Sequence, residues 1–205
     1  MYFVRHGESE WNATGRHQDR TPGLSEAGKK QAEFLGQRFI KIPIEMIVSS
    51  PFSRARQTAE IVGKKVGVPV EFSELFVECK RPSAVEGKLK SDPEVIEIKT
   101  LIKANFHLPN WRHSDEEIYE ELKTRAIRAL VLIEQFGKER ILVVTHGTFL
   151  RTVLGLLLLG EEMTAQEWLK IDKFFELSNT GITICDKRED STWKLVTWND
   201  HAHLG

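Results

Sequence analysis

The chain has 205 residues, of which 40% are hydrophobic and 29% are charged, and its formal net charge at pH 7 is -1. This length and composition predict one globular domain over residues 1–205 with a sizeable core. The near-zero charge argues against nucleic acid or an anionic membrane surface as a partner, so any positive potential for an anionic ligand must be local.

Three further features predict a cytoplasmic protein that no membrane anchors. The two cysteines, Cys79 and Cys185, have no spacing typical of a metal site or a disulfide framework, which fits a reducing compartment. The first predicted strand starts at Met1, which leaves no room for a signal peptide. The most apolar run, residues 153–159, is too short to span a bilayer.

Hydrophobic periodicity predicts strands that alternate with helices. The predicted strands are residues 1–5, 45–49, 68–72 and 141–145, followed by two β-type segments at 181–186 and 194–198. The predicted helices are 25–39, 53–66, about 94–104, a long one from a capping box at 114–117 to about 136, and 148–159. This order predicts an α/β fold, a three-layer sandwich with a mainly parallel central sheet flanked by helices. The irregular segment at about 74–114 is predicted to form a cap over the domain.

Two histidine-glycine pairs stand where predicted strands end. His6-Gly7 follows the first strand, and His146-Gly147 follows the strand at 141–145. In open α/β sheets the ligand crevice lies at the carboxyl ends of the strands. We therefore expect the two imidazoles to meet at a single site.

Two arginines are predicted to join these histidines. Arg5 precedes His6 directly, and Arg54 lies in the first turn of a predicted helix, where free amides and the macrodipole favour anions. Arg56 lies about 200° away from Arg54 around that helix, so only one of the two can face a given site, and we choose Arg54.

Arg5, His6, Arg54 and His146 together suit a phosphoryl group. Arginine makes planar, bidentate contacts with phosphate oxygens, and a neutral imidazole nitrogen can attack phosphorus. Metal binding is the rival use of two histidines. The adjacent arginines would repel a dication, and no carboxylate other than Glu8 lies at ligand spacing. We expect no metal and no other cofactor.

Several ordered motifs resemble those of the histidine phosphatase superfamily, also called the phosphoglycerate mutase-like family. They are residues 5–12 (RHGESEWN), 24–28 with 31–32, 49–59, 143–147, 178–182 and 199–204. The resemblance spans almost the whole chain and is weakest between residues 80 and 135. It implies a phosphoglycerate mutase-like sandwich fold.

The resemblance also implies roles for individual residues. His6 would be the nucleophile that forms a phosphohistidine, and Arg5, Arg54 and His146 would bind and stabilise the phosphoryl group. Asn12 would assist, and Gly147 would belong to the same substrate-binding set. The loop at residues 14–23 departs from the family pattern. Its Arg16, His17 and Arg20 could contact substrate, but we expect them to be solvated surface groups.

The family also needs a carboxyl group that protonates the leaving oxygen. In the family this group usually follows a Leu-x-Glu pattern after the third strand, and the resemblance implies Glu78, in the Glu74–Glu78 run, for the role. The run that follows departs from the common family pattern, so Glu86 stays a second candidate. General acid catalysis contributes about 10²–10⁴-fold, so the choice has large consequences.

These features predict a metal-independent phosphatase that hydrolyses phosphomonoesters through a phosphohistidine on His6, with a phosphorylated small molecule as substrate. A bisphosphoglycerate-dependent phosphoglycerate mutase is the nearest alternative, although we find no Asn-Glu-Arg-x-Tyr-Gly run. A phospholigand-binding module without catalysis is another. The substrate and the oligomeric state stay open.

Overall fold

The computed structural model describes residues 1–190 and 192–205. Its strands are β1 (Tyr2–Arg5), β2 (Met46–Ser49), β3 (Val70–Phe72), β4 (Ile141–Thr145), β5 (Ile182–Lys187) and β6 (Trp193–Asp200). Its α-helices are α1 (Glu10–Ala13), α2 (Glu26–Phe39), α3 (Ser53–Val66), α4 (Pro93–Asn105), α5 (Tyr119–Gln135), α6 (Gly147–Leu159) and α7 (Ala165–Phe174). Within these described ranges, no helix combines the length and the apolarity that crossing a bilayer requires.

All six strands form one sheet in the order β3-β2-β4-β1-β5-β6. The first four strands in this order pair in parallel, whereas β5 and β6 pair antiparallel at the other edge. The predicted mainly parallel sheet is confirmed.

Helices cover both faces of the sheet. Neighbouring residues of a strand point to opposite faces, so Val4 and Phe3 of β1 report what packs on each face. Val4 of β1 packs in a core with residues of α2 and α3. Phe3 packs on the other face, in a second core that contains residues of α5, α6 and α7. The predicted three-layer sandwich is therefore confirmed.

The register of the central strands brings the two histidine-glycine pairs together. Arg5 lies opposite Thr145, and the amide of His6 donates to the carbonyl of Thr145 at 2.9 Å. His6 and His146 consequently leave neighbouring strands at the same edge of the sheet. Ser50 leaves β2 at this edge too, and its amide donates to Val144 at 3.1 Å.

A glycine in α2 fixes the loop that follows β1. A Cβ atom built on Gly28 would lie 1.9 Å from the carbonyl oxygen of Glu8 and would collide with this backbone. Only glycine lets α2 approach residues 6–8 so closely, and the approach supports the His6 loop from behind.

The predicted capping box at Ser114–Glu117 is wrong, since helix α5 begins at Tyr119. The carboxylate of Glu116 accepts from the amides of His113 and Ser114 and closes a loop instead. The carboxylate of Glu121 accepts from the amide of Ile118 and supports the true helix start. The segment between β3 and α5 is therefore residues 73–118, which hold two short 3₁₀ turns and α4.

Candidate active site

A cavity of about 510 Å³ opens where the parallel strands end. Its wall contains six of the seven residues that the sequence singled out: Arg5, His6, Asn12, Arg54, Glu78 and Gly147. The seventh, His146, is fully buried, and its ring centroid lies 5.1 Å from that of His6. The structure thus brings all seven to one place.

The environment of His6 fixes which ring nitrogen can react. Nδ1 lies 2.7 Å from the carbonyl oxygen of Gly7. A carbonyl oxygen only accepts, so the ring proton is on Nδ1 and the lone pair of a neutral ring is on Nε2. Nε2 accepts a hydrogen bond from Nε of Arg54 at 3.2 Å. Burial, with Arg54 and Arg5 nearby, holds the pKa of His6 well below its usual 6.5.

The two predicted arginines are held by backbone carbonyls rather than by carboxylates. Nη1 of Arg54 donates to Asp19 at 2.6 Å, and Nη1 of Arg5 donates to Leu177 at 2.6 Å. Burial lowers the pKa of Arg54 to about 10, which still leaves it charged at neutral pH. Arg56 instead stacks on the ring of Phe72 at 3.9 Å, away from the cavity wall.

His146 lies beside His6 and contacts a residue that the sequence analysis missed. Its Nε2 is 2.8 Å from the hydroxyl of Ser50, which leaves the ring with one further nitrogen, Nδ1. Burial and then Arg54, His6 and Arg5 hold the pKa of His146 well below 6.5. The position of Ser50 directly after β2, at the same sheet edge, is the signal that could have pointed to it.

Buried polar atoms without partners mark this site. Among the side chains of residues 1–190 and 192–205, three buried nitrogens lack a hydrogen-bond partner: Nε of Arg5, Nδ1 of His146 and Nε2 of His17. Leaving such a group unpaired costs about 1–3 kcal/mol. Arg5 and His17 line the cavity, and His146 packs against His6. A ligand with acceptor atoms would satisfy groups that the protein leaves open.

Asn12 and Gly147 shape the same wall. The side-chain oxygen of Asn12 accepts from the amide of Ser9 at 3.3 Å, so its NH₂ group is left for other partners. A Cβ atom at Gly147 would lie 3.7 Å from Nε of Arg5. This is an ordinary van der Waals distance, so Gly147 lies directly beside the unpaired guanidinium nitrogen of Arg5.

The structure separates the two candidate acids. Glu78 lines the cavity, and its carboxylate accepts from the amides of Cys79, Thr148 and Phe149 at 2.9, 3.2 and 3.0 Å. Two of these amides belong to the first turn of α6, which favours a negative charge there. Glu86 is exposed and does not line the cavity. The geometry favours Glu78.

The sequence analysis did not predict several charged or titratable residues of the cavity wall. His17, expected to be a solvated surface group, is only 8% exposed. Lys99, Lys103 and Arg151 also line the cavity, and nothing in their local sequence distinguished them. Within the described part of the chain, no three His, Cys, Asp or Glu side chains are placed to hold a metal ion.

We expect His6 and His146 to stay neutral at pH 6, because both have pKa values well below 6.5. NMR titration of the imidazole ¹⁵N resonances, assigned with alanine variants, measures this directly. Neutral-ring shifts should persist as the pH falls through 6.5. A titration midpoint at or above 6.5 for His6 would contradict the electrostatics described above.

Comparison with known proteins agrees with this geometry. The family model of the histidine phosphatase superfamily (branch 1) matches residues 1–201. The chain belongs to the histidine phosphatase superfamily. The family and fold class predicted from the sequence are confirmed.

The relatives of this histidine phosphatase superfamily member include phosphatases and mutase-like proteins. A probable phosphoglycerate mutase from Erwinia tasmaniensis is 31% identical, over 100% of this chain and 94% of its own. A metal-independent phosphoserine phosphatase from Arabidopsis thaliana is 28% identical, over 100% and 82%. The structure of an Entamoeba histolytica phosphoserine phosphatase variant with phosphoserine has a TM-score of 0.78 at 27% identity, covering 100% and 98%. The phosphatases among them support the predicted enzyme class, a phosphoric monoester hydrolase.

Proposed function

We propose that this protein is a metal-independent phosphatase that hydrolyses phosphomonoesters through a phosphohistidine on His6. The observation that carries the proposal is the position of Nε2 of His6, the unprotonated ring nitrogen, which accepts from Arg54 at 3.2 Å in the wall of a cavity that Arg5 and Arg54 also line. The unpaired nitrogens of Arg5 and His146 lie at the same place. A phosphoryl group supplies the negative charge and the acceptor oxygens that these groups lack.

In the first step, Nε2 of His6 attacks phosphorus and the bond from phosphorus to the ester oxygen breaks. The Gly7 carbonyl keeps its hydrogen bond from Nδ1–H and stabilises the positive charge that develops on the ring. Arg5 and Arg54 stabilise the charge on the phosphoryl oxygens. The bound phosphomonoester places negative charge beside Glu78, which favours the protonated carboxyl group against its amide contacts, and Glu78 transfers this proton to the departing alcohol oxygen.

In the second step, water attacks the phosphohistidine. The carboxylate of Glu78 takes a proton from this water, the bond from phosphorus to Nε2 breaks, and inorganic phosphate leaves. His6 is then neutral again and Glu78 is protonated again, so the cycle closes. Positioning and electrostatic stabilisation supply most of the acceleration.

The substrate under this proposal is a phosphorylated small molecule. A phosphoglycerate mutase is a second candidate, because a 31% identical relative is named a probable phosphoglycerate mutase. The two activities differ in the acceptor of the phosphoryl group, which is water in one and a second hydroxyl in the other. Release of inorganic phosphate from 3-phosphoglycerate favours the phosphatase, and isomerisation with little free phosphate favours the mutase.

We expect phosphatase activity to survive excess EDTA, because Arg5 and Arg54 supply the positive charge that a metal would otherwise provide. A panel of phosphorylated metabolites and p-nitrophenyl phosphate, each assayed with and without chelator, measures this. Loss of activity in EDTA with rescue by Mg²⁺ or Mn²⁺ would contradict the proposed mechanism.

A further inference from the structure

The cavity carries far more positive charge than one phosphoryl group requires. Eight lysines and arginines line it, against only two acidic residues, although the whole chain has a net charge of -1. Arg5 and Arg54 adjoin His6, whereas Arg81, Lys90 and Lys99 come from the segment between β3 and α5. The excess charge therefore lies largely outside the phosphoryl pocket.

The cations Arg81, Lys90 and Lys99 have no acidic partner within 4.0 Å among the described residues. Arg81 donates only to the hydroxyl of Thr148, at 3.1 Å. Two other lysines of the same segment do not line the cavity and are paired. Lys80 contacts Asp115 at 2.9 Å, and Lys88 contacts Glu94 at 2.7 Å. The segment thus pairs these two lysines outside the cavity, whereas its four cations in the cavity wall, Arg81, Lys90, Lys99 and Lys103, are in none of the ion pairs of the described residues.

His17 lies among these three cations and adds an unpaired nitrogen. Its backbone is fixed, because its amide donates to Lys88 at 2.9 Å and its carbonyl accepts from Gly87 at 3.0 Å. Burial, and then Lys99, Arg81 and Lys90, lower the pKa of His17 to about 4, so its ring is neutral at pH 7. The buried Nε2 atom has no partner within the described chain.

We propose that Arg81, Lys90, Lys99 and His17 form a second anion subsite, which selects phosphomonoesters that carry a further carboxylate or phosphate group. The inference rests on the proposed function, and it adds the substrate class. The reacting phosphoryl group would bind at His6, Arg5 and Arg54. The second anionic group would bind Arg81, Lys90 and Lys99, the three cations nearest His17, with a hydrogen bond from His17.

Binding to the full-length His6→Ala variant tests the subsite without turnover. Titration calorimetry compares two ligand pairs that differ by one anionic group. Phosphoserine against phosphoethanolamine isolates a carboxylate, and fructose 1,6-bisphosphate against fructose 6-phosphate isolates a phosphate. We expect the doubly anionic member of at least one pair to bind about tenfold more tightly or better. Equal Kd values within both pairs, or no binding of any ligand, would overturn the subsite.

Variants that replace a cation with a neutral residue test which side chains produce the preference for the doubly anionic ligand. Lys99→Met and Arg81→Met, each added to His6→Ala, should bring the preferred pair to nearly equal Kd values. Lys99 is exposed, so we expect the Lys99→Met protein to fold. This variant keeps the test valid even if Arg81→Met, which loses the contact to Thr148, disturbs folding. Lys64→Met is the matched control, because Lys64 is exposed on α3 and does not line this cavity. A preference that survives both Lys99→Met and Arg81→Met would overturn the assignment.

The two proposals fail differently in these measurements. Selective binding by His6→Ala without any hydrolysis by the unmodified protein would reject the proposed function and keep the subsite. Hydrolysis of all four phosphomonoesters without selective binding would keep the phosphatase and reject the subsite.

Discussion

Replacement of His6 by alanine is expected to lower kcat/KM for phosphomonoesters by roughly 10⁴-fold or more, since the variant has no nucleophile at Nε2. Steady-state hydrolysis of p-nitrophenyl phosphate and of the best natural ester measures the loss. His107→Ala is the matched control, because His107 is exposed and does not line the cavity.

A folded His6→Ala protein with activity within about tenfold of the unmodified enzyme would remove the nucleophile role. Thermal unfolding of both histidine variants shows whether a loss reflects chemistry or folding. His6 packs against His146 and contacts Arg54, so this check is needed before the loss is attributed to catalysis.

Glu78→Gln is expected to lower hydrolysis of alkyl phosphates by about 10²–10⁴-fold, because a poor leaving group needs a proton that glutamine cannot supply. Formation of the phosphoenzyme from p-nitrophenyl phosphate should fall much less, since p-nitrophenolate leaves without protonation. Rapid-quench measurement with both kinds of ester gives this contrast. Breakdown of the phosphoenzyme should be slow in the variant, because no carboxylate takes the proton of the attacking water.

The glutamine variant can keep two of the three hydrogen bonds at this side chain and loses the third, because its NH₂ group would face the Thr148 amide that donates to Oε2. Its side-chain oxygen can keep the hydrogen bonds that Oε1 accepts from Cys79 and Phe149. Glu86→Gln serves as the comparison, and its loss of hydrolysis rate should be small and equal for alkyl and p-nitrophenyl esters. Equal losses for good and poor leaving groups in Glu78→Gln would exclude Glu78 as the acid and direct attention to Glu86.

Local patterns predicted the parts of the site that lie at strand ends. His6 and His146 follow apolar strands, and the rule that parallel strands present their carboxyl ends at one edge predicted that they meet. Helix geometry predicted that only one of Arg54 and Arg56 faces the site, and the structure buries Arg54 at 1% exposure. These predictions succeed because the period of a strand or helix fixes the face and the end at which each side chain lies.

Features that depend on contacts between distant loops could not be predicted. His17 is buried because its backbone pairs with residues 87 and 88 across 70 residues of sequence, which no local pattern encodes. The start of α5 was misplaced because Ser114 and Glu116 form a hydrogen-bonded turn that imitates a helix cap. Helix α7 was missed, although Thr164 and Glu167 at its start form a true capping box.

Trapping of the phosphoenzyme tests the central claim most directly. Labelled phosphomonoester substrate is mixed with the unmodified enzyme, quenched without acid, and the attached phosphate is mapped by mass spectrometry. The proposed mechanism predicts an alkali-stable, acid-labile phosphate on His6, formed at least as fast as turnover and lost with inorganic phosphate release. Turnover without a phosphohistidine on a turnover-competent time scale, or with the phosphate on another residue, would contradict it.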